Sequence, residues 1–493
     1  MDFANFVNTL IDILTSSAIG YIILGTVMGV IFGAIPGLTA TLAVVILLPF
    51  TYGLDAVTGI ATLIGAYIGG ISGGVVASIL IGMPGTPSSL TTTFDGYPLA
   101  KKGLGAQTLA MGSLSNLIGS LISLVLLILI APQLANFALL FTPFEYTMVM
   151  LFAFVMVAGL TGDFYKSLLM SLLGLIIASW GFDPINAVER NPLGFSVLNN
   201  GVPAIPAMIG LFVISRVFIE MKDGDSDSII PKVTASKILP PLKDIKDSSM
   251  NFFRSGIIGS MIGILPGIGQ SLATFVAYDQ AKKASKDPDS FGKGNIQGVV
   301  SSETANNAVI GGALIPLLAL GIPGDAVSAI LLGGLQLQGL QPGPLLFSNQ
   351  PDFIIGIFVA FLLSVLVMYI FMVTIGARIF PKLLSISKWY LLPIVIVMSV
   401  AGSYNIGYRV EDVWIMLIFG IVGYFMYKWS FSPLPLVITL LLGADFEEYL
   451  RNGLIQSNGS IAPFFTRPIA LLFFIFTVVT VILIMRNNRK KEV

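Results

Sequence analysis

Polar positions along this chain are so sparse that its organisation is set by where they interrupt apolar runs. Ile13–Leu54 holds 42 residues without Asp, Glu, Lys or Arg, Ala56–Phe94 holds 39 and Gly103–Phe144 holds 42. Shorter charge-free runs follow, the last being Pro468–Met485. A helix needs about 20 apolar residues to cross the hydrocarbon core of a bilayer. The runs are continuous rather than alternating, which predicts helices and speaks against an outer-membrane barrel. The expected fold is an all-α polytopic membrane protein with roughly 11 to 14 membrane segments, some of which need not cross completely. The leader of the first run carries Asp2 and Asp12 but no Lys or Arg, unlike the positive n-region of a signal peptide.

Two polar stretches divide the pattern, Glu220–Met250 and Lys282–Asn295. The first mixes acids and lysines with Pro231, Pro240 and Pro241, the composition of a solvated linker. The expected organisation is a first repeat at 1–220, a cytoplasmic polar linker at 221–250, a second repeat at 251–485 and a basic cytoplasmic tail at 486–493.

The halves resemble each other. Gly29, Gly33, Pro36 and Gly37 are spaced much as Gly259, Gly263, Pro266 and Gly267 are, and Gly82-Met-Pro84-Gly85 matches Gly321-Ile-Pro323-Gly324. The paired prolines lie 48 residues apart in the first half and 57 in the second, and the polar insertion Lys282–Asn295 accounts for the difference. Proline removes an N–H and clashes with the preceding turn, and glycine then lets the chain unwind or reverse. Broken helices at corresponding places in two halves point to a transporter site near the bilayer midplane. Lys101 and Lys102 follow the second break of the first half, whereas Lys282, Lys283 and Lys286 follow the first break of the second. The positive-inside rule puts both loops in the cytoplasm, so the repeats are expected to be inverted.

Composition removes competing chemistries. Charged residues are 11%, mean hydropathy is +0.91, and the chain has no Cys, no His and net charge +0. Disulfides, thiolate nucleophiles, Fe–S clusters, histidine triads, HExxH sites and histidine proton relays are therefore excluded. The charge balance gives no sign of nucleic-acid binding, and no P-loop for ATP occurs. Intramembrane enzymes of the lipid-modifying kind use clustered metal-binding carboxylates or His, and DDxxD-type runs are missing.

Several blocks carry a resemblance. Gly33-Ala-Ile-Pro36-Gly37-Leu, Leu47-Leu48-Pro49-Phe50, Ile79-Leu-Ile-Gly82-Met-Pro84-Gly85-Thr86-Pro87 and Phe94-Asp95-Gly96-Tyr97-Pro98 resemble the large membrane subunit of the tripartite tricarboxylate transporters (TctA). So do Glu303-Thr-Ala-Asn306-Asn307, Leu320-Gly321-Ile322-Pro323-Gly324, Gln338-Gly-Leu-Gln341-Pro-Gly-Pro344 and Phe465-Thr-Arg467-Pro468. Where that family usually reads Ala-Pro-Glu, this chain has Ser301-Ser302-Glu303. The resemblance implies a permease in the cell membrane that works with an extracytoplasmic solute-binding protein and a small four-helix membrane subunit. It also implies uptake of citrate or another carboxylate, driven by a cation gradient. A stand-alone organic-anion carrier and a channel are the alternatives within transport.

Candidate residues follow from the breaks. Glu303, Asn306 and Asn307 share one helix face and offer oxygens to a cation and amide donors to a carboxylate; a helix-contact role is the plainer reading. Asp95 either coordinates a cation or caps its Asp-Gly turn. Asp325, directly after Pro323-Gly324, is either a cation or proton site or the N-cap of the next helix. These three acids are the expected cation-coupling residues, with Na⁺ at Glu303, Asn307 and Asp325, and Na⁺ or H⁺ is the only cofactor expected. Thr39, Thr41, Thr86, Ser88, Ser89 and Gln270 follow the breaks at Pro36-Gly37, Pro84-Gly85 and Pro266-Gly267. Their hydroxyls and amides, with helix N-termini after each break, suit carboxylate oxygens. The broken segments carry no Arg or Lys; Lys101, Lys102, Arg254 and Lys282 stand at their edges. Arg467 and the four tryptophans are expected as interfacial anchors.

Overall fold

The computed structural model describes residues 3–160, 163–191, 194–222, 239–267, 269–384 and 386–489. Helices make up nearly all of it. A hairpin of Gly181–Phe182 against Glu189–Arg190 is the only sheet among the described residues. Eight helices there are long and apolar enough to cross a membrane, or nine with the pair Ala4–Thr15 and Ala18–Ala34, bent by 80°. Shorter apolar helices, Ala40–Thr51, Pro143–Gly159, Phe164–Ala178 and Ala326–Leu337, accompany them. The chain is an all-α polytopic membrane protein. The expected segment count is reached only when the short helices are included, because the breaks divide apolar runs into pieces too short to span.

Residues group into two compact units, one of Met1–Leu134, Ile219–Leu265 and Gly269–Gly402, the other of Ala135–Phe218, Pro266–Ile268 and Ser403–Val493. Each unit draws on both halves of the chain. Residues 223–238 of the expected linker and 490–493 of the expected tail lie outside the described residues.

In the second unit, Asp183 anchors a polar cluster. Its carboxylate takes both Arg190 and Arg451, the latter at 2.7 Å, and Arg190 also reaches Glu447 Oε1 at 2.7 Å. The Asn186 backbone N–H, followed by Arg451, holds the Asp183 carboxyl well below its ordinary range. Arg467 donates to the buried Glu145 at 2.7 Å, so its guanidinium ties two helices together rather than standing as a lone anchor.

The first unit contains the repeated module twice. In the first copy, Ala18–Ala34 packs on a first core helix, Ala56–Leu80; in the second, Ser249–Gly263 packs on a second core helix, Ile296–Leu320. Glycines let the backbones touch. A Cβ on Gly25, Gly29 or Gly33 would lie 2.2, 2.4 and 2.0 Å from the carbonyl oxygens of Thr62, Ala66 and Gly70. Gly259 and Gly263 stand likewise, at 2.4 and 2.6 Å, against Ala305 and Val309.

The breaks are equivalent as well. Ile35–Leu38 closes with Leu38 N–H donating to Ile35 O at 3.1 Å, and Gly37 has φ +90, as a type II turn with Pro at its second position requires. Gly82 and Gly321, with φ +70 and +72, follow the ends of the two core helices. A capping box then starts each arm, Thr86 with Ser89 and Asp325 with Ser328. The first arm is Leu90–Leu99 with the turn Pro87–Ser89 before it; the second arm is Ala326–Leu337. A Cβ on Gly85 would meet Gly33 O at 2.4 Å and Gly74, and one on Gly324 would meet Gly263 O at 2.8 Å and Ala313. A shift of 239 positions, 85 to 324, therefore superposes core helix and arm in sequence.

The contacts fix relative direction inside this unit. The first arm runs with its own core helix, since Ser89 lies beside Gly74 and Tyr97 beside Gly82. It runs against the second core helix, Thr92 meeting Glu303 and Asp95 meeting Gly298. The second arm crosses the first core helix in the same antiparallel sense, Asp325 meeting Tyr67 and Gly334 meeting Leu63 and Ile60. The two core helices are thus antiparallel. Contacts at their ends are reciprocal: Gln338 Nε2 donates to Thr51 O at 2.8 Å, and Lys102 Nζ to Lys293 O at 2.7 Å. Such exchange of partners is the signature of a two-fold relation, and it agrees with the inversion read from the lysines.

Two outcomes follow. Gly33→Ala costs about 1–3 kcal/mol through overpacking, whereas Gly20→Ala, with nothing within 4 Å, is neutral or slightly stabilising; thermal unfolding of the purified protein compares them. Because the chain has no Cys, single cysteines at Lys101 and Lys286 should label from one side of the membrane and one at Tyr52 from the other. Labelling of all three from one side would remove the inversion.

Candidate functional site

The middle of the second core helix carries the polar residues. Asn295 caps its start, accepting the Gln297 N–H at 2.9 Å, and Glu303, Asn306 and Asn307 follow, each 0% exposed. Thr92 on the first arm donates its hydroxyl to Glu303 Oε1 at 2.5 Å. The side-chain amides of Asn306 and Asn116 face the same carboxyl. Even so, Glu303 Oε2, Asn116 Oδ1 and both amide atoms of Asn306 have no hydrogen-bond partner among the described residues. Buried polar atoms are nearly always satisfied, and an exception marks an unfilled position or a functional one.

Asn116 comes from the helix Gly105–Ala138, which approaches the second core helix closely: a Cβ on Gly119 would lie 2.2 Å from Thr304 O. Its Nδ2 donates to Ser72 O at 3.3 Å, and Ser72 Oγ donates to Asn307 Oδ1 at 2.7 Å. Sequence reasoning missed Asn116. The signal was present as the buried row Ser113, Asn116, Ser120 and Ser123, whose spacing lays one polar stripe along an apolar helix.

The other expected acids stand elsewhere. Asp325 Oδ1 caps the second arm at Ser328 N, 2.7 Å away, while Oδ2 accepts from Gln270 Nε2 at 2.5 Å and from the Tyr67 hydroxyl. Asp95 Oδ1 accepts three backbone N–H groups, Gly292 at 2.9 Å and Gly294 and Asn295 at 2.8 Å each. The Tyr278 hydroxyl donates to Asp95 Oδ2 at 2.8 Å. Asp95 therefore ties the first arm to the loop before the second core helix, and Asp325 works as the cap that the sequence allowed. Glu303, Asn307 and Asp325, expected together on one Na⁺, make their hydrogen bonds with three different sets of partners.

Thr39 caps Ala40–Leu47, accepting the Leu42 N–H at 3.2 Å, with half-buried Thr41 on that helix. Thr86 Oγ1 shares its hydrogen bonds with Ser88 and Ser89 at 3.1 and 3.2 Å. Pro84 is exposed while Gly85, Pro323 and Gly324 are buried. Pro266 and Gly267 fall in the second unit, where a Cβ on Gly267 would press on Val157. Lys101 lies over the Tyr97 ring at 4.4 Å.

The repeat supplies an internal comparison. The shift of 239 carries Ile64 to Glu303, Tyr67 to Asn306, Thr92 to Leu331 and Asp95 to Gly334. The same architecture is thus built at one place around Ile64 and Leu331, each 1% exposed, and at the other around Thr92 and Glu303. Packing alone does not require the carboxylate. A costly ionisable group that the architecture can do without is the mark of a functional residue.

An antiparallel pair of broken-helix modules with a buried polar patch on one of its two equivalent faces defines a repeat-built membrane transport protein. The chain belongs to the tripartite tricarboxylate transporter TctA family, matched over residues 19–438. It is a component of a tricarboxylate transporter. An uncharacterized 52.8 kDa protein of the TAR-I ttuC' 3' region of Agrobacterium vitis is 34% identical over 458 residues, 93% of this chain and 91% of that protein. An uncharacterized protein of the TAR-II ttuC' 3' region of the same organism is 37% identical over 225 residues, 46% of this chain and 93% of that protein. No solved structure matches.

Asp95→Ala leaves three backbone N–H groups without their acceptor, at a cost of about 3 kcal/mol. Hydrogen exchange at 292–295 should accelerate together with a lower Tm. Unchanged exchange there, with an altered cation dependence of transport, would instead make Asp95 a cation ligand.

Proposed function

We propose that this chain is the permease subunit of a secondary active uptake system for a tricarboxylate or related organic acid, in the cytoplasmic membrane and coupled to a cation. Its expected partners are an extracytoplasmic solute-binding protein and a small four-helix membrane subunit. Membership of the family supports the transport role. The single observation that carries the coupling is the buried, incompletely satisfied Glu303 at a place whose repeat equivalent is Ile64.

The substrate's carboxylates meet hydroxyls and amides rather than lysines in this reading. Thr86, Ser88 and Ser89 at the start of the first arm and Asn306 and Asn307 on the second core helix supply them, with Gln270 and Thr39 at the other breaks. Helix N-termini add partial positive charge. A co-transported cation offsets substrate charge that no fixed guanidinium or ammonium neutralises. Na⁺ is preferred over H⁺, because hard oxygen ligands surround the breaks and broken-helix carriers hold Na⁺ with such groups.

The test is uptake of labelled citrate and other small acids into vesicles containing the complete system. An imposed Na⁺ gradient at clamped pH is compared with a pH gradient without Na⁺. Na⁺-driven, saturable uptake is expected. Glu303→Ala and Asn306→Ala should each reduce it at least about tenfold, equivalent to ~1.4 kcal/mol, with membrane insertion intact. Full uptake from the pH gradient alone would exclude Na⁺ coupling, and uptake that fails to saturate would point to a channel.

A further inference from the structure

We infer that Glu303, Asn306 and Asn116 form a dehydrated site for a single monovalent cation, with Na⁺ as its natural occupant. The inference rests on the carrier reading above and assigns the coupling ion to three named side chains, one of them on the helix Gly105–Ala138 outside the broken segments.

The hydrogen-bond inventory carries it. Three acceptor oxygens, Glu303 Oε2, Asn306 Oδ1 and Asn116 Oδ1, are buried without a partner, as are Asn306 Nδ2 and the hydroxyls of Thr91, Ser120, Ser302 and Thr304, so unmet polar atoms concentrate around this one carboxyl. Amide orientation is ordinarily ambiguous. Here Asn116 is oriented by its Nδ2 bond to Ser72 O, which leaves Oδ1 without a partner, and both atoms of Asn306 are unpartnered in either orientation. A cation serves all three acceptors at once.

Charge sets the valence. Glu303 is the one ionisable side chain of this trio, and Thr92, the fourth neighbour, carries no charge. A monovalent ion cancels its charge; a divalent ion would leave a net positive charge in a low-dielectric interior, which is costly.

Repeat symmetry shows why only one such site is built. At the equivalent place, Tyr67 stands for Asn306 and Asp325 for Thr86. Those longer side chains meet directly, with Gln270 joining them, so the space is closed. Asn306 and Thr86 are each shorter than their counterparts. Thr86 bonds within its own turn, and Asn306 is left without a hydrogen-bond partner.

The experiment is thermal unfolding of the purified full chain in NaCl, KCl and choline chloride at one ionic strength, since a ligand of the folded state raises Tm with its concentration. Wild type should show a saturable rise specific to Na⁺. Glu303→Gln and Asn116→Ala should move its midpoint at least about tenfold higher in Na⁺. Asn116→Ser, which replaces the amide with a hydroxyl oxygen, tests the same contact if a larger change prevents folding. No cation-specific rise in wild type, or variants that keep the wild-type midpoint, would overturn the site. Because the readout is independent of transport, the two readings separate. A Na⁺ shift lost in the variants without carboxylate uptake retains the site and discards the carrier role. Na⁺-driven uptake with unmoved midpoints does the reverse.

Discussion

A helix broken inside a bilayer frees backbone groups that lipid cannot satisfy, and the first unit is organised around meeting that demand. The second break of each half is followed at once by a capping box that returns side-chain oxygens to the exposed N–H groups. Each also needs its neighbouring backbones close, because Gly85 and Gly324 pass within contact distance of Gly33 and Gly263. Only glycine seams allow that approach. The run of four-residue glycine spacings on Ala18–Ala34 and on the first core helix is therefore a precondition for the broken segments, and through them for the arms and the polar patch that the arms enclose.

The pseudo-symmetric pair also separates what the scaffold requires from what is added to it. Turn, cap and seam occur in both copies, so they belong to the architecture. Glu303 occurs only in the second copy, where the first has Ile64, and Thr92 and Asp95 occur only in the first, where the second has Leu331 and Gly334. An unrepeated polar group in a repeated frame is chemically informative without any comparison of relatives, since the other half of the same molecule shows that the position tolerates an apolar residue.

Much of this was legible in the chain itself. Continuous apolar runs announced membrane helices, paired Pro-Gly dipeptides located both breaks of each half, and five lysines indicated the inversion. The compact units were not legible, because their contacts join segments far apart in sequence and apolar helices give little periodic signal when most faces are covered. The roles of the acids were partly legible. Asp325 fits its capping alternative by position alone, but the partners of Asp95 lie almost 200 residues away on a polar insertion, and no local pattern reveals such a pairing. Asn116 escaped because a single amide in a long apolar run reads as incidental until its serine neighbours are counted at helical spacing.

The two ends of the inverted pair are joined unequally. At one end a carboxylate gathers three backbone amides and a tyrosine hydroxyl, with a lysine bond beside it. At the other, Gln338 makes a single amide bond to Thr51. Separating the repeats at the first end breaks charge-assisted bonds of roughly twice the ordinary strength, and at the second only a neutral one. The scaffold therefore has a stiff side and a compliant side. A repeat pair whose backbone is nearly symmetric is thus mechanically polar, and the polarity is written in one aspartate.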